Sequence, residues 1–187
     1  MNKNDFIKKY NMKELSESDG FFIDIVYSTP NNFTKQKIYQ FPICMLKNET
    51  AQKLLNANNI LNGKGYRLKI WDSFRPLIFQ KRMFEVFPDE KFVANPDTED
   101  CPHCTGGAVD LTLCTIDGKE LTMPTEFDHF GPECSRYYYN NLNQDVKQNV
   151  LLLENTMKEC GFIPYEYEWW HFDDKDKYEI IREFFTY

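Results

Sequence analysis

Histidine is scarce in this chain, with three in 187 residues: His103, His129 and His171. There is no run of about eighteen apolar residues, the length needed to span a bilayer as a helix, and no basic stripe. Net charge is −7 and the pI is near 5.0, the wrong sign for phosphate backbones or an anionic membrane surface. No nucleic-acid or membrane partner is therefore expected. The amino end, MNKNDFIKKYNMKELSESDG, has charges throughout and no apolar run of signal-peptide length, so a cytoplasmic protein is the expectation. Repeats, low-complexity tracts and linkers are missing too. With 42% hydrophobic and 16% aromatic residues, the chain can bury one substantial core, and one domain over residues 1–187 is expected. Oligomeric state is not legible.

Six cysteines, Cys44, Cys101, Cys104, Cys114, Cys134 and Cys160, would suggest disulfides in a secreted protein; without an export signal, reduced thiols are expected. Cys101-Pro102-His103-Cys104 looks like the redox pair of thioredoxin-fold oxidants, whose first thiolate sits at a helix start. Here Thr105-Gly106-Gly107 and a strand pattern follow instead, which argues against redox catalysis. A structural zinc site on these thiolates would call for a second C-x-x-C, and there is none.

What the chain does have is metal-binding chemistry in two short islands. CPHCTGGAVDLTL carries His103 and Asp110; EYEWWHF carries Glu168 and His171. A catalytic zinc takes three protein ligands through nitrogen or carboxylate oxygen and leaves a fourth position open, and His103, Asp110 and His171 supply that number. Glu168, three residues before the last of these, is the candidate general base for a metal-activated water. The competing reading makes the histidines ordinary surface or core residues and Glu168 a solvated charge. In AVDLTL, Val109, Leu111 and Leu113 alternate with Asp110 and Thr112, the period of a half-buried strand, so Asp110 points away from the apolar face. An extended strand would carry His103 more than about 20 Å from Asp110, at about 3.3 Å per residue. Gly106 and Gly107 permit a bend that returns it. YEYEWWHF reads as a strand with a bulge or bend, because strict alternation puts Glu168 and His171 on opposite faces.

Elsewhere, Ala51, Leu54, Leu55 and Leu61 predict a helix over 49–61, capped by Asn48 and ended at Gly63. RLKIWDSF predicts a strand, followed by a turn at Arg75-Pro76 and a helix through LIFQKRMFEVF. A helix is predicted between Leu142 and Cys160, stopped by Gly161, and a short terminal helix from Asp174 to Phe185. Arg75, at a strand-to-helix corner, can reach a site and stabilise an oxyanion; the alternative is a surface ion pair.

These residues resemble the D-alanyl-D-alanine dipeptidases associated with vancomycin resistance, the VanX type, within a larger group of zinc D,D-peptidases. The S-x-H-x-x-G-x-A-x-D pattern is matched by Cys101 to Asp110 and E-x-W-H by Glu168 to His171. YSTPNNF at Tyr27 to Phe33, WDSFRP at Trp71 to Pro76 and Phe127-Asp128 look like the same family, so the likeness runs from about residue 21 to 172. The resemblance implies one zinc per chain on His103, Asp110 and His171, Glu168 as general base and then acid, and Arg75 assisting the tetrahedral intermediate. It implies Tyr27 and Asp128 near the dipeptide ammonium. The implied fold is a compact α+β domain, hedgehog-like, with a mainly antiparallel central sheet, packed helices and the zinc in a cleft on the sheet. Hydrolysis of D-Ala-D-Ala in cell-wall precursor metabolism is the implied activity. A D,D-carboxypeptidase, a peptidoglycan endopeptidase of the same group, or a zinc-binding module without turnover are the alternatives. Cys101 and Pro102 stand where the family has serines lining the dipeptide pocket, and Phe74 where a tyrosine is common, so substrate preference is the least secure part of the carry-over.

Overall fold

Residues 1–98 and 100–185 are described by a computed structural model. A first helix, α1 (Lys3–Tyr10), is capped by Asn2, whose side chain accepts from the Asp5 amide. Strand β1 (Met12–Glu14) pairs antiparallel with β3 (Met45–Lys47) in a small sheet. The main sheet has the order β2-β4-β5-β7-β6, from β2 (Phe22–Ile23), β4 (Tyr66–Asp72), β5 (Ala108–Thr115), β6 (Phe162–Pro164) and β7 (His171–Asp174). Only the β2–β4 pairing is parallel, so the sheet is mainly antiparallel, as expected.

Helix α2 (Asn48–Asn62) packs on β4, α4 (Gln144–Glu159) packs on β5 and β6, and the two helices touch each other. Their buried residues recur at helical spacing: Ala51, Leu54, Ala57 and Leu61 on α2, and Val146, Val150, Leu153 and Met157 on α4. Each large apolar side chain so buried contributes about 1.5–3 kcal/mol. Asn58, on the buried face of α2, is satisfied on both sides, accepting from the Leu68 amide and donating to the Gly20 carbonyl. Asn143 caps α4 through the Val146 amide, and Gly161, at φ +92°, turns the chain out of it. Helix α3 (Leu77–Val86) starts immediately after Pro76. Among the described residues, no helix is long and apolar enough to cross a membrane.

Four sequence expectations are corrected. Asn48 is the first residue of α2, not its cap; β3 runs straight into the helix, and Lys47 takes the capping position. Strand β5 is buried on both faces from Ala108 to Cys114, because it is central in the sheet and covered on each side, so it has no solvated face. YEYEWW is not a bulged strand but two turns joining β6 to β7. The tail from Asp174 to Phe185 forms no helix. Its backbone is drawn into tertiary contacts instead: Ile181 N–H donates to Cys104 O at 2.9 Å, while Ile181 and Phe185 enter the core. The ring of Tyr178 stands so close to Gly107 that a Cβ there would meet it at 2.8 Å.

Candidate active site

The loop before β5 makes one 3-10 turn, Pro102–Thr105, and leaves it through Gly106 at φ +78°. A side chain at Gly106 would suffer both that backbone conformation and a 2.7 Å approach to Met12 Cε. The turn brings His103 back beside Asp110, as the glycines predicted. On the other side of β5, Asp110 is the direct register partner of His171, the first residue of β7.

His103, Asp110 and His171 are 3–7% exposed, and one ligand atom from each lies within 4.8 Å of the others. His103 Nε2 is 3.1 Å from His171 Nδ1 and 3.2 Å from Asp110 Oδ2; His171 Nδ1 is 2.9 Å from Asp110 Oδ1. Outer partners fix both rings. His103 Nδ1 donates to the Ser73 carbonyl at 2.7 Å, and His171 Nε2 donates to Asp173 Oδ1 at 2.8 Å. The remaining nitrogens, His103 Nε2 and His171 Nδ1, therefore face Asp110 and each other, the arrangement metal-binding histidines need. Burial opposes charge on Asp110, but the neighbouring imidazoles hold its carboxyl well below the usual carboxylate range. Burial likewise disfavours a charged His171, which Asp173 and Asp110 more than offset, raising its pKa.

Glu168 lies on the β6–β7 connection, 6% exposed, with Oε2 3.9 Å from His171 Nδ1. Burial pushes its carboxyl well above the ordinary value, against the lowering effect of His171. Arg75 is not a surface ion pair: it is buried, with Nε 2.9 Å and Nη2 2.7 Å from Asp72 Oδ2. Its Nη1 donates to Gln80 Oε1 at 2.8 Å, and Nη2 stands 3.7 Å from Asp110 Oδ2. Tyr27 donates its hydroxyl to Asp128 at 2.9 and 3.2 Å, and burial raises the Asp128 carboxyl to about 8 in spite of that bond. Asp128 holds a left-handed backbone at φ +59°, a conformation uncommon outside glycine.

All seven residues singled out from the sequence line one cavity of about 400 Å³. His129, by contrast, pairs with Glu133 at the surface, outside the cluster. Sequence reasoning missed Asp72, Gln80, Asp173 and Arg136. The Arg136 guanidinium donates to the carbonyls of Tyr165, Trp169 and His171 and to Glu154, tying the Glu168 loop to α4. Its residue type and position carry no local signal; a partly buried cation about 30 residues before the loop is readable only once the fold is known.

Cys101 and Cys104 are joined by a disulfide, their Cα atoms 5.4 Å apart, where reduced thiols were expected. The 3-10 turn brings residues i and i+3 over one another, which makes the pairing possible. The other four cysteines are free and buried. After the turn comes β5 rather than an α-helix, so the redox-pair context is absent. Among the described residues, no cysteine joins the cluster of metal-capable side chains.

A family model described as D-ala-D-ala dipeptidase matches residues 15–187. A D-alanyl-D-alanine dipeptidase of Escherichia coli (strain K12) is 32% identical over 151 residues, covering 81% of this chain and 77% of the relative. One from Enterococcus faecium is 30% identical over 178 residues, covering 82% and 86%. A solved vancomycin-resistance D,D-pentapeptidase VanY in complex with Zn(II) gives a TM-score of 0.45 at 16% identity, over 70% of this chain and 72% of that one. With the family model matching residues 15–187 and relatives covered over 77% and 86% of their length agreeing, the chain belongs to the D-Ala-D-Ala dipeptidase family of metallopeptidases.

Proposed function

We propose that the protein hydrolyses D-alanyl-D-alanine, or a closely related D,D-dipeptide with a free amino end, to its amino acids, using one zinc ion held by His103, Asp110 and His171. The observation that carries this is the convergence of those buried donors at 2.9–3.2 Å from one another, in a cavity that also holds Glu168. Ligands about 2.0–2.1 Å from a tetrahedral ion stand roughly 3.3 Å apart, so the donor set fits zinc in chemistry and in spacing. When bound, zinc polarises a carbonyl and makes a coordinated water a nucleophile near neutral pH.

The protein's own groups then divide the work. Glu168, kept basic enough by burial to hold a proton, takes one from the attacking water and delivers it to the leaving amine nitrogen. Arg75, clamped by Asp72 and Gln80, presents a fixed positive charge beside Asp110, where negative charge grows on the carbonyl oxygen. Asp128 and Tyr27 receive the substrate ammonium; its charge would favour the ionised form of a carboxyl that burial otherwise keeps protonated. A purely structural metal site has no use for a carboxyl placed as Glu168 is, which favours turnover over a non-catalytic module. Residues 1–187 as one catalytic domain, a cytoplasmic site of action and a place in cell-wall precursor metabolism belong to the same proposal.

A hydrolysis panel of D,D-, L,D- and L,L-dipeptides and an amino-blocked D,D analogue tests the reading, with zinc measured on the same sample. Cleavage restricted to free-amine D,D substrates is expected. Equal cleavage of the blocked analogue would remove the ammonium site, and no cleavage by zinc-loaded protein would remove the activity.

A further inference from the structure

We propose that Lys91 is a specificity-determining residue that receives the carboxylate of the dipeptide substrate; the inference rests on the dipeptidase reading above. Such a substrate carries an ammonium and a carboxylate, and only the ammonium has so far been given a partner. The cavity is lined by six acidic side chains, Glu90, Asp100, Asp110, Asp128, Glu168 and Asp173, against two basic ones, Arg75 and Lys91. A carboxylate entering such a wall needs a cation to offset the repulsion.

Several other donors on the wall are engaged. Arg75 is held by Asp72 and Gln80. The Gln80 amide donates to the Ala94 carbonyl, the Tyr165 hydroxyl to the Lys91 carbonyl, and the Asn95 amide to Glu90. Cys101 is bonded to Cys104 and has no S–H to give, and Pro102 has neither a hydroxyl nor a backbone N–H.

Lys91 differs. Among the described residues no carboxylate lies within ion-pair distance of its ammonium, which sits 4.3 Å from the Tyr167 ring centroid and 5.1 Å from that of Phe92. Its backbone is nevertheless fixed at both ends: the amide donates to Asp89 Oδ1 at 3.1 Å, and the carbonyl accepts from Tyr165 at 2.9 Å. Tyr165 in turn stacks edge-on against His171, with ring centroids 5.7 Å apart. An exposed side chain with three unclaimed donors is thus anchored to the loop that carries Glu168, on the rim of the site. Contact with aromatic faces, rather than with an acid, leaves the ammonium available to an incoming anion.

The test compares D-Ala-D-Ala with its C-terminal amide on the zinc-loaded enzyme, for wild type, Lys91→Met and Lys91→Arg. Wild type should prefer the free acid. Lys91→Met should lose about tenfold in kcat/KM on the acid, through KM rather than kcat, and the acid-over-amide preference should collapse towards unity. Lys91→Arg should restore that preference. A preference that survives in Lys91→Met, or a loss of the same size on acid and amide, overturns the assignment of Lys91 while leaving the dipeptidase reading intact. Wild type that cleaves neither compound overturns both.

Discussion

Asp110 and His171 stand directly opposite one another on adjacent antiparallel strands, with Asp110 Oδ1 2.9 Å from His171 Nδ1. Sixty-one residues separate them along the chain, and one register of one strand pair removes that separation. A shift of one residue in the β5–β7 pairing would turn one of the two side chains to the helical face of the sheet and dismantle the donor set. Sheet register is thus the feature on which the chemistry depends.

Asp173 orients the His171 ring from outside the donor set. Asp173→Ala is expected to lower zinc affinity about 10–100-fold, read by competition with a chelator. His129→Ala, at the surface, should leave zinc content at about one per chain. Unchanged affinity in Asp173→Ala would show that His171 is held in place by other means.

Glu168→Ala should retain zinc and lose hydrolysis by about 10²–10⁴-fold. Metal analysis and a D-Ala-D-Ala assay on the same preparation separate the two effects. Wild-type turnover in this variant would strip Glu168 of its role.

The Asp128 carboxyl is raised to about 8, above its unfolded value of 3.8, so the native state binds the extra proton. The stability associated with this group is fully present below the unfolded value and is lost as pH climbs through about 8. Asp128→Asn should therefore gain thermal stability over wild type progressively from pH 5 to 8 and level off above, while its KM for the dipeptide rises. Melting curves across that range check the sign; an advantage that shrinks with rising pH would contradict it.

Arg136 joins Glu154 to the Tyr165 and Trp169 carbonyls of the Glu168 loop and to that of His171 at the start of β7. Arg136→Met withdraws those donors, leaving Glu154 with the exposed Lys158 at 3.4 Å and the His171 carbonyl with the Tyr165 amide; the loss is expected to cost about 1–3 kcal/mol in urea unfolding. The defect should also appear in kcat, because the loop carries Glu168, the proposed general base. A stability change within about 0.5 kcal/mol of wild type would show that the network is replaceable.

Helices α2, α3 and α4 and strands β4 and β5 were legible because each writes its own apolar period into a short stretch of chain. The Gly106 turn was legible because few other residues can take its backbone. The terminal helix was misread because the spacing of Ile181 and Phe185 suits a helix, while the packing of Tyr178 at Gly107 and the Ile181–Cys104 bond outweigh local propensity. The Cys101–Cys104 bond was misread because compartment, rather than the local turn, guided the expectation.

By itself the sequence determined which atoms were available: two imidazoles and an aspartate able to bind a metal, a glutamate, a buried-strand pattern around Asp110, and motifs in a recognisable order. Only the tertiary structure decided that they meet, that Asp173 and Ser73 turn the correct ring nitrogens inward, and that Arg75 is buried against Asp72 instead of lying on the surface. The reason is physical: periodicity records free energies of neighbouring residues, whereas strand register and buried polar networks come from contacts between segments far apart in the chain, which no local pattern encodes.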